Sequence, residues 1–143
     1  MATASAFLTL FLGCGLGIRG YFDYLERLHP SAIDLGLDRV ARVRDAMRLA
    51  PRFPLITVGG TNGKGSTCAY AEAMLSHAGY RAGCYTSPHI LRYNERIRID
   101  GRQVADDDLC ASFQRIEEAR AGIGLTYFEF GTLAAVDLFI HAG

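Results

Sequence analysis

The hydrophobic positions change their period along the chain, and the changes mark its elements. From Tyr21 to Leu28, Phe22, Leu25 and Leu28 fall on one face of a short helix, which His29-Pro30-Ser31 ends. A loop, Ala32 to Gly36, leads to a second helix from about Leu37 to Ala50. There Leu37, Val40, Val43 and Met47 recur at helical spacing, and arginines take the other face. Pro51 and Pro54 interrupt the pattern. Leu55-Ile56-Thr57-Val58 is then a short β-branched run of strand type, and Cys68 to Ala78 is an Ala-rich segment of helical character with Gly79 as its stop. Arg81 to Thr86 predicts a second strand. Strand, helix and strand in this order predict a right-handed βαβ unit with parallel strands.

Glu95 to Ile99 alternates polar and apolar residues, and Asp100-Gly101 predicts a hairpin turn into Arg102-Gln103-Val104. Asp106-Asp107-Asp108 opens a helix whose positive end the carboxylates suit, with Leu109, Phe113 and Ile116 as its buried stripe. Gly122-Ile123-Gly124 closes it. A last helix runs from about Tyr127 to His141. Its apolar residues (Phe130, Leu133, Ala134, Val136, Leu138, Phe139) occupy most of the circumference, a pattern that expects a further strand and more layers. On this ground the chain reads as the N-terminal part of a larger protein.

Composition narrows the class. The chain has 143 residues, half of them hydrophobic, and a formal net charge of zero, which fits one globular domain with a modest core and offers no basic excess for nucleic acid. Cys14, Cys68, Cys84 and Cys110 show no C-x-x-C spacing, so reduced thiols in a cytoplasmic protein are expected. Residues 1–20 are atypical. Ala6 to Ile18 is apolar, too short to span a membrane, and similar to a signal-peptide core without the preceding Lys or Arg. Phe11-Leu12-Gly13-Cys14 is faintly like a lipoprotein cleavage site. A cytoplasmic protein with an unusual start, and no membrane partner, is the expectation.

The string Val58-Gly59-Gly60-Thr61-Asn62-Gly63-Lys64-Gly65-Ser66-Thr67 carries the chemistry. Glycines between a strand and a helix let backbone N–H groups converge on one point, and the helix aims its positive end there. Lys64 can then reach the β- and γ-phosphates of a nucleotide as a mobile point charge. The string departs from G-x-x-x-x-G-K-[ST] at both ends, with Val58 where that pattern has Gly, and Gly65 directly after the lysine. ATP is the expected ligand. Ser87-Pro88-His89 follows the second predicted strand at the edge where ligands of open α/β sheets gather. His29 and His89 are isolated and expected to be structural. Arg92, Arg96 and Arg98 suit either substrate charge or a solvated strand edge.

Several motifs in order resemble one family. They are Tyr24-Leu25-Glu26-Arg27-Leu28-His29-Pro30, Ile33-Asp34-Leu35-Gly36-Leu37, the phosphate-loop string, Tyr85-Thr86-Ser87-Pro88-His89, Arg92-Tyr93-Asn94-Glu95-Arg96-Ile97 and Leu125-Thr126-Tyr127-Phe128-Glu129-Phe130-Gly131. From Tyr21 to Gly143 the chain resembles the N-terminal part of the folylpolyglutamate synthases, and among them the bacterial bifunctional dihydrofolate synthases of the Mur ligase superfamily.

The resemblance implies an α/β fold, a P-loop-containing Mur-ligase-type central domain with a parallel sheet flanked by helices, incomplete here. It places 21–143 in the N-terminal part of that domain and leaves a C-terminal glutamate-ligase domain outside the chain. It implies ATP-dependent addition of L-glutamate to dihydropteroate and to tetrahydrofolate through an acyl phosphate, with ATP and Mg2+, by an enzyme expected to be monomeric. By match to the family motifs, Gly63, Lys64, Gly65 and Ser66 hold ATP, with Lys64 catalytic. Ser87 is a magnesium ligand, its hydroxyl suiting a hard cation. Asp34, Leu35, Gly36, Thr126, Tyr127, Phe128 and Glu129 bind dihydropteroate. From the residues alone, Asp34 reads as a helix N-cap, Phe128 as core packing, and Glu129 as an acid in an apolar stretch with a functional role. The family's further acidic magnesium ligand, histidine metal ligand and carbamylated lysine have no counterpart in these residues, so this span alone is expected to be inactive. Another Mur-type amino-acid ligase, or a non-catalytic nucleotide-binding remnant, are the alternatives.

Overall fold

Helix α1 (Asp38–Ala46) begins at an N-cap residue, Leu37, that offers no side-chain cap, and it buries Val43. It is shorter than the periodicity predicts. Arg48 takes a left-handed φ of 54°, and Met47 and Arg48 close the helix by donating to Val43 O and Asp45 O. This computed structural model describes residues 20, 21, 24 and 36–143. Gly20, Tyr21 and Tyr24 are helical, consistent with the first predicted helix; the rest of that helix, His29 and most of the N-terminal run lie outside the described residues.

Helix α2 (Lys64–His77) follows the glycine loop. It ends as Gly79 predicts: φ is +84°, Tyr80 N–H donates to Leu75 O and Gly79 N–H to Ser76 O, the paired bonds of a Schellman cap. Strands β1 (Gly83–Tyr85), β2 (Ile97–Ile99) and β3 (Arg102–Gln103) form a sheet of order β1-β2-β3, antiparallel throughout. The turn between β2 and β3 is the predicted one. Asp100 and Gly101 take φ of 51° and 75°, both left-handed, the requirement of a type I′ hairpin. A short 3-10 turn, Tyr93–Arg96, leads into β2.

The parallel βαβ unit is corrected by this topology. Residues 55–58 form no strand, and Leu55 and Ile56 are 66% and 71% exposed. A strand exists only where a neighbour takes its N–H and C=O groups. Here β1 is the edge strand of the sheet and pairs with β2 alone, and no described strand pairs with 55–58.

Helix α3 (Asp106–Arg120) carries its three aspartates in the first turn and buries Leu109, Phe113 and Ile116 completely. Ala121 and Gly122, both at positive φ, end it. Helix α4 (Tyr127–Ala142) buries Phe130, Leu133, Ala134, Ala135 and Leu138. Val136 and Phe139, which belong to the same apolar circumference, are only half-buried. Exposed large apolar residues occur at Leu37, Leu55, Ile56, Tyr70, Met74, Tyr80, Ile90 and Leu91, and on α4 itself at Phe128.

The chain divides into two compact units, Met1–Arg48 with Cys110–Ala134, and Leu49–Leu109 with Ala135–Gly143. The first centres on stacked aromatics: Phe113 lies 5.3 Å from Tyr21 and 5.4 Å edge-on from Phe130. Beside them, Arg120 pairs with Glu117 and donates to Tyr24 Oη at 2.7 Å and to Ile123 O at 2.9 Å. In the second unit the Phe139 ring lies flat on β1. A Cβ at Gly83 would sit 2.6 Å from it, so only glycine fits. Across the same sheet Arg98 makes a 2.6 Å ion pair with Glu72 of α2 and approaches Cys84 Sγ at 3.4 Å.

Candidate functional site

The phosphate loop lies in the second unit. Gly63 is the N-cap of α2 at φ 75°, a left-handed conformation that turns the chain from loop to helix. Lys64 is the first helical residue. Its Nζ donates to Gly60 O at 2.6 Å and to Thr61 O at 3.3 Å, while Thr67 Oγ1 donates back to Gly63 O at 3.0 Å. The residues from Gly59 to Thr67 are exposed, and added Cβ atoms at Gly59, Gly63 or Gly65 would meet nothing within 4 Å. The loop is thus an exposed glycine turn at a helix N-terminus, with one ammonium tethered to the loop's own carbonyls.

Ser87 is exposed on the loop that leaves β1, and Thr86 N–H is fixed to Arg96 O at 2.8 Å. Its hydroxyl is a donor type that suits Mg2+. No group of three or more His, Cys, Asp or Glu suited to a metal occurs among the described residues.

The following loop is organised by Glu95. Its carboxylate accepts N–H groups from Ile90, Leu91 and Arg92 at 2.8, 3.0 and 2.7 Å. These bonds, led by that from Ile90, hold its pKa below the ordinary carboxylate value. A depressed folded-state pKa means that the stabilisation is present above the unfolded value and is lost as pH falls through the lowered one. Hydrogen exchange at the amides of Ile90, Leu91 and Arg92 should therefore stay slow at mildly acidic pH and accelerate only below the usual carboxylate range. In Glu95→Ala exchange there should be fast at neutral pH, with α3 unchanged; equal protection in the variant would contradict this role.

The charged residues of this region have structural partners. Arg92 pairs with Asp106 at 2.9 Å. Asn94 Nδ2 donates to Val104 O and to Asp106 Oδ1, both at 2.8 Å. Arg96, read from sequence as either a substrate charge or part of a solvated edge, is 9% exposed; it donates to His89 Nδ1 at 2.8 Å and lies over the Tyr93 ring at 5.3 Å. His89 is thus structural, as its isolation suggests. Cys68, Cys84 and Cys110 are free thiols, and burial first of all pushes the Cys84 thiol pKa up.

The first unit holds the other candidate residues. Asp34 and Leu35 lie outside the described residues; Gly36 is exposed, just ahead of α1, whose N-cap is Leu37. Thr126, Tyr127, Phe128 and Glu129 open α4. Thr126 and Glu129 form a reciprocal capping box: Thr126 N–H donates to Glu129 Oε2 at 2.8 Å, and Glu129 N–H to Thr126 Oγ1 at 3.2 Å. Glu129 Oε1 accepts from Arg39 Nη2 at 3.0 Å. The lone acid in an apolar stretch thus has a structural occupation, legible as the Thr-x-x-Glu pattern. Arg39, expected on the solvated arginine face of α1, turns inward to meet it, while Arg42 and Arg44 stay exposed. Phe128 is 55% exposed, so core packing is not its role.

No protein-family profile matches the chain. It is 48% identical, over 87% of its length, to the dihydrofolate synthase/folylpolyglutamate synthase of Escherichia coli K12, and spans 30% of that protein. Among solved structures, E. coli FolC in complex with DHPP and ADP superposes with a TM-score of 0.85 at 47% identity, covering 88% of this chain and 31% of the other. The Yersinia pestis bifunctional folylpolyglutamate synthase/dihydrofolate synthase complexed with AMPPNP and Mn ion gives 0.83 at 50% identity, with the same coverage. The chain therefore spans about three tenths of the length of the curated relatives it matches. No helix among the described residues is long and apolar enough to cross a membrane.

Proposed function

Because this chain belongs, over the span it covers, to the dihydrofolate synthase/folylpolyglutamate synthase family, we propose that it is the phosphate-loop part of an ATP-dependent ligase that joins L-glutamate to a folate-type carboxylate. The observation that carries this reading is the Gly63-Lys64 turn: a left-handed N-cap, a lysine at the head of α2 and open space around the loop glycines. The relatives' complexes with ADP and with AMPPNP and Mn ion support nucleotide and divalent metal as ligands.

The chemistry follows from the substrates. A carboxylate is a poor electrophile, so its oxygen first attacks the γ-phosphorus of ATP, and ADP leaves. The glutamate amine then attacks the acyl phosphate carbonyl, an amide forms and inorganic phosphate departs. The protein's part is to position and to neutralise charge. The N-terminus of α2 and the loop N–H groups hold the phosphates. Lys64 exchanges the carbonyls of Gly60 and Thr61 for the β/γ oxygens. Ser87 would supply an oxygen to the divalent ion, which shields phosphate charge when bound. Gly36 and Thr126–Phe128 contribute to the dihydropteroate site, where the 55% exposed Phe128 ring can stack on a flat heterocycle. The phosphate loop belongs to a Mur-ligase-type central domain whose remaining strands and glutamate-binding domain lie in the part of the relatives that this chain does not span. The same reading makes the enzyme cytoplasmic and monomeric.

An assay of the full-length enzyme tests this. Dihydropteroate and tetrahydrofolate are offered in parallel with ATP, Mg2+ and L-glutamate. Phosphate release that requires both the pterin acid and glutamate is expected. Release with a peptidoglycan precursor alone would reassign the chain to another Mur-type ligase.

A further inference from the structure

We propose that Arg39 and Glu129 are a positioning pair for the dihydropteroate site, holding the start of α1, with Gly36 ahead of it, against the start of α4, which carries Thr126, Tyr127 and Phe128. This rests on the reading of those segments as substrate-binding.

Glu129 has both carboxylate oxygens committed to the protein. Oε2 accepts the Thr126 N–H and Oε1 the Arg39 guanidinium. The two side chains are 10% and 24% exposed, so the pair is largely out of water and neither charge can be removed without stranding the other. Glu129 is therefore a positioning residue and not a substrate contact. Arg39 sits in the first turn of α1 and meets Glu129 through one Nη2–Oε1 contact of 3.0 Å. The residues it joins stand 90 positions apart in the chain. The capping box fixes the backbone on either side of Phe128, whose own carbonyl accepts from Thr132 Oγ1 at 2.8 Å. The result is an exposed aromatic ring on a backbone that is rigid before substrate arrives, which lowers the ordering cost of binding.

The test is direct binding of dihydropteroate, and separately of ADP, to the full-length enzyme and to Arg39→Met, Glu129→Gln, the double variant and Arg39→Lys. Glutamine keeps an oxygen for the Thr126 N–H, so the cap survives while the ion pair is lost. Each of Arg39→Met and Glu129→Gln should weaken dihydropteroate by about tenfold to a hundredfold, the reach of a small misplacement. ADP should change by no more than about twofold. The double variant should be no worse than the poorer single, and Arg39→Lys should recover part of the loss. Unchanged dihydropteroate binding, equal losses for both ligands, or losses that add in the double variant overturn the proposal. If Arg39→Met gives no folded protein, Glu129→Gln and Arg39→Lys make the same comparison. Phe128→Ala separates the two readings. If it weakens dihydropteroate while the pair variants do not, the pair falls and the site stands; if none of them changes dihydropteroate binding, the site reading falls too.

Discussion

Lys64→Ala in the full-length ligase should cut ATP-dependent phosphate release by about a hundredfold to a thousandfold, the scale seen when one preorganised charge or donor is removed from a reaction centre. The reasoning is electrostatic. Charge moves onto the β/γ-bridging oxygen as the phosphoryl group transfers, and the remaining loop offers N–H dipoles but no other cation among residues 59–67. The fold should hardly notice. Lys64 is exposed, its bonds reach only to the loop's own carbonyls, and alanine is a good helix former, so stability should move by about 0.5 kcal/mol or less. Near-normal turnover in a well-folded variant would remove Lys64 from the mechanism.

Phe113→Ala should be the costliest single truncation for stability, about 3–5 kcal/mol by urea denaturation, because the ring is wholly buried. It touches Tyr21 on one side and Phe130 on the other, and the helices that carry those rings leave little freedom to collapse into the void. For a chain of this size each kcal/mol lowers the midpoint by roughly 3 °C, so a fall of about 10 °C or more is expected. Phe128→Ala removes the same kind of ring from a position that is 55% exposed, and should cost less than about 1 kcal/mol. A loss below about 1 kcal/mol at Phe113 would mean that this ring does not anchor the core.

Elements set by local chemistry are legible in the residues themselves. Asp100-Gly101 specifies a type I′ turn because both positions must take left-handed φ. Gly79 specifies the end of α2, and the aspartates at 106–108 specify the start of α3, since each acts within one helical turn. The buried stripe Leu109, Phe113 and Ile116 follows from spacing alone. Pairing is not legible. A β-branched run such as 55–58 states a willingness to be a strand, but the partner that completes it is a property of the whole sheet. Burial of charge is not legible either. Arg39, Arg96 and Arg98 sit in sequence like any surface arginine, and only three-dimensional proximity to Glu129, His89 and Glu72 takes them out of solvent. At Gly59–Thr67 the glycine string specifies backbone shape, including the left-handed turn at Gly63. The proposed role of Gly36 and of Thr126–Phe128 rests on family resemblance, since nothing in an aromatic beside a capping box announces a pterin.

The flat seating of Phe139 on β1 carries a consequence for how this sequence can diverge. Any side chain at position 83 collides with that ring 2.6 Å away, yet the collision vanishes if position 139 holds something thinner. The two sites therefore form a coupled locus. Gly83→Ala should therefore be tolerated only where Phe139 has first been replaced by a smaller aliphatic, because shrinking 139 leaves a tolerable gap whereas enlarging 83 alone forces a collision.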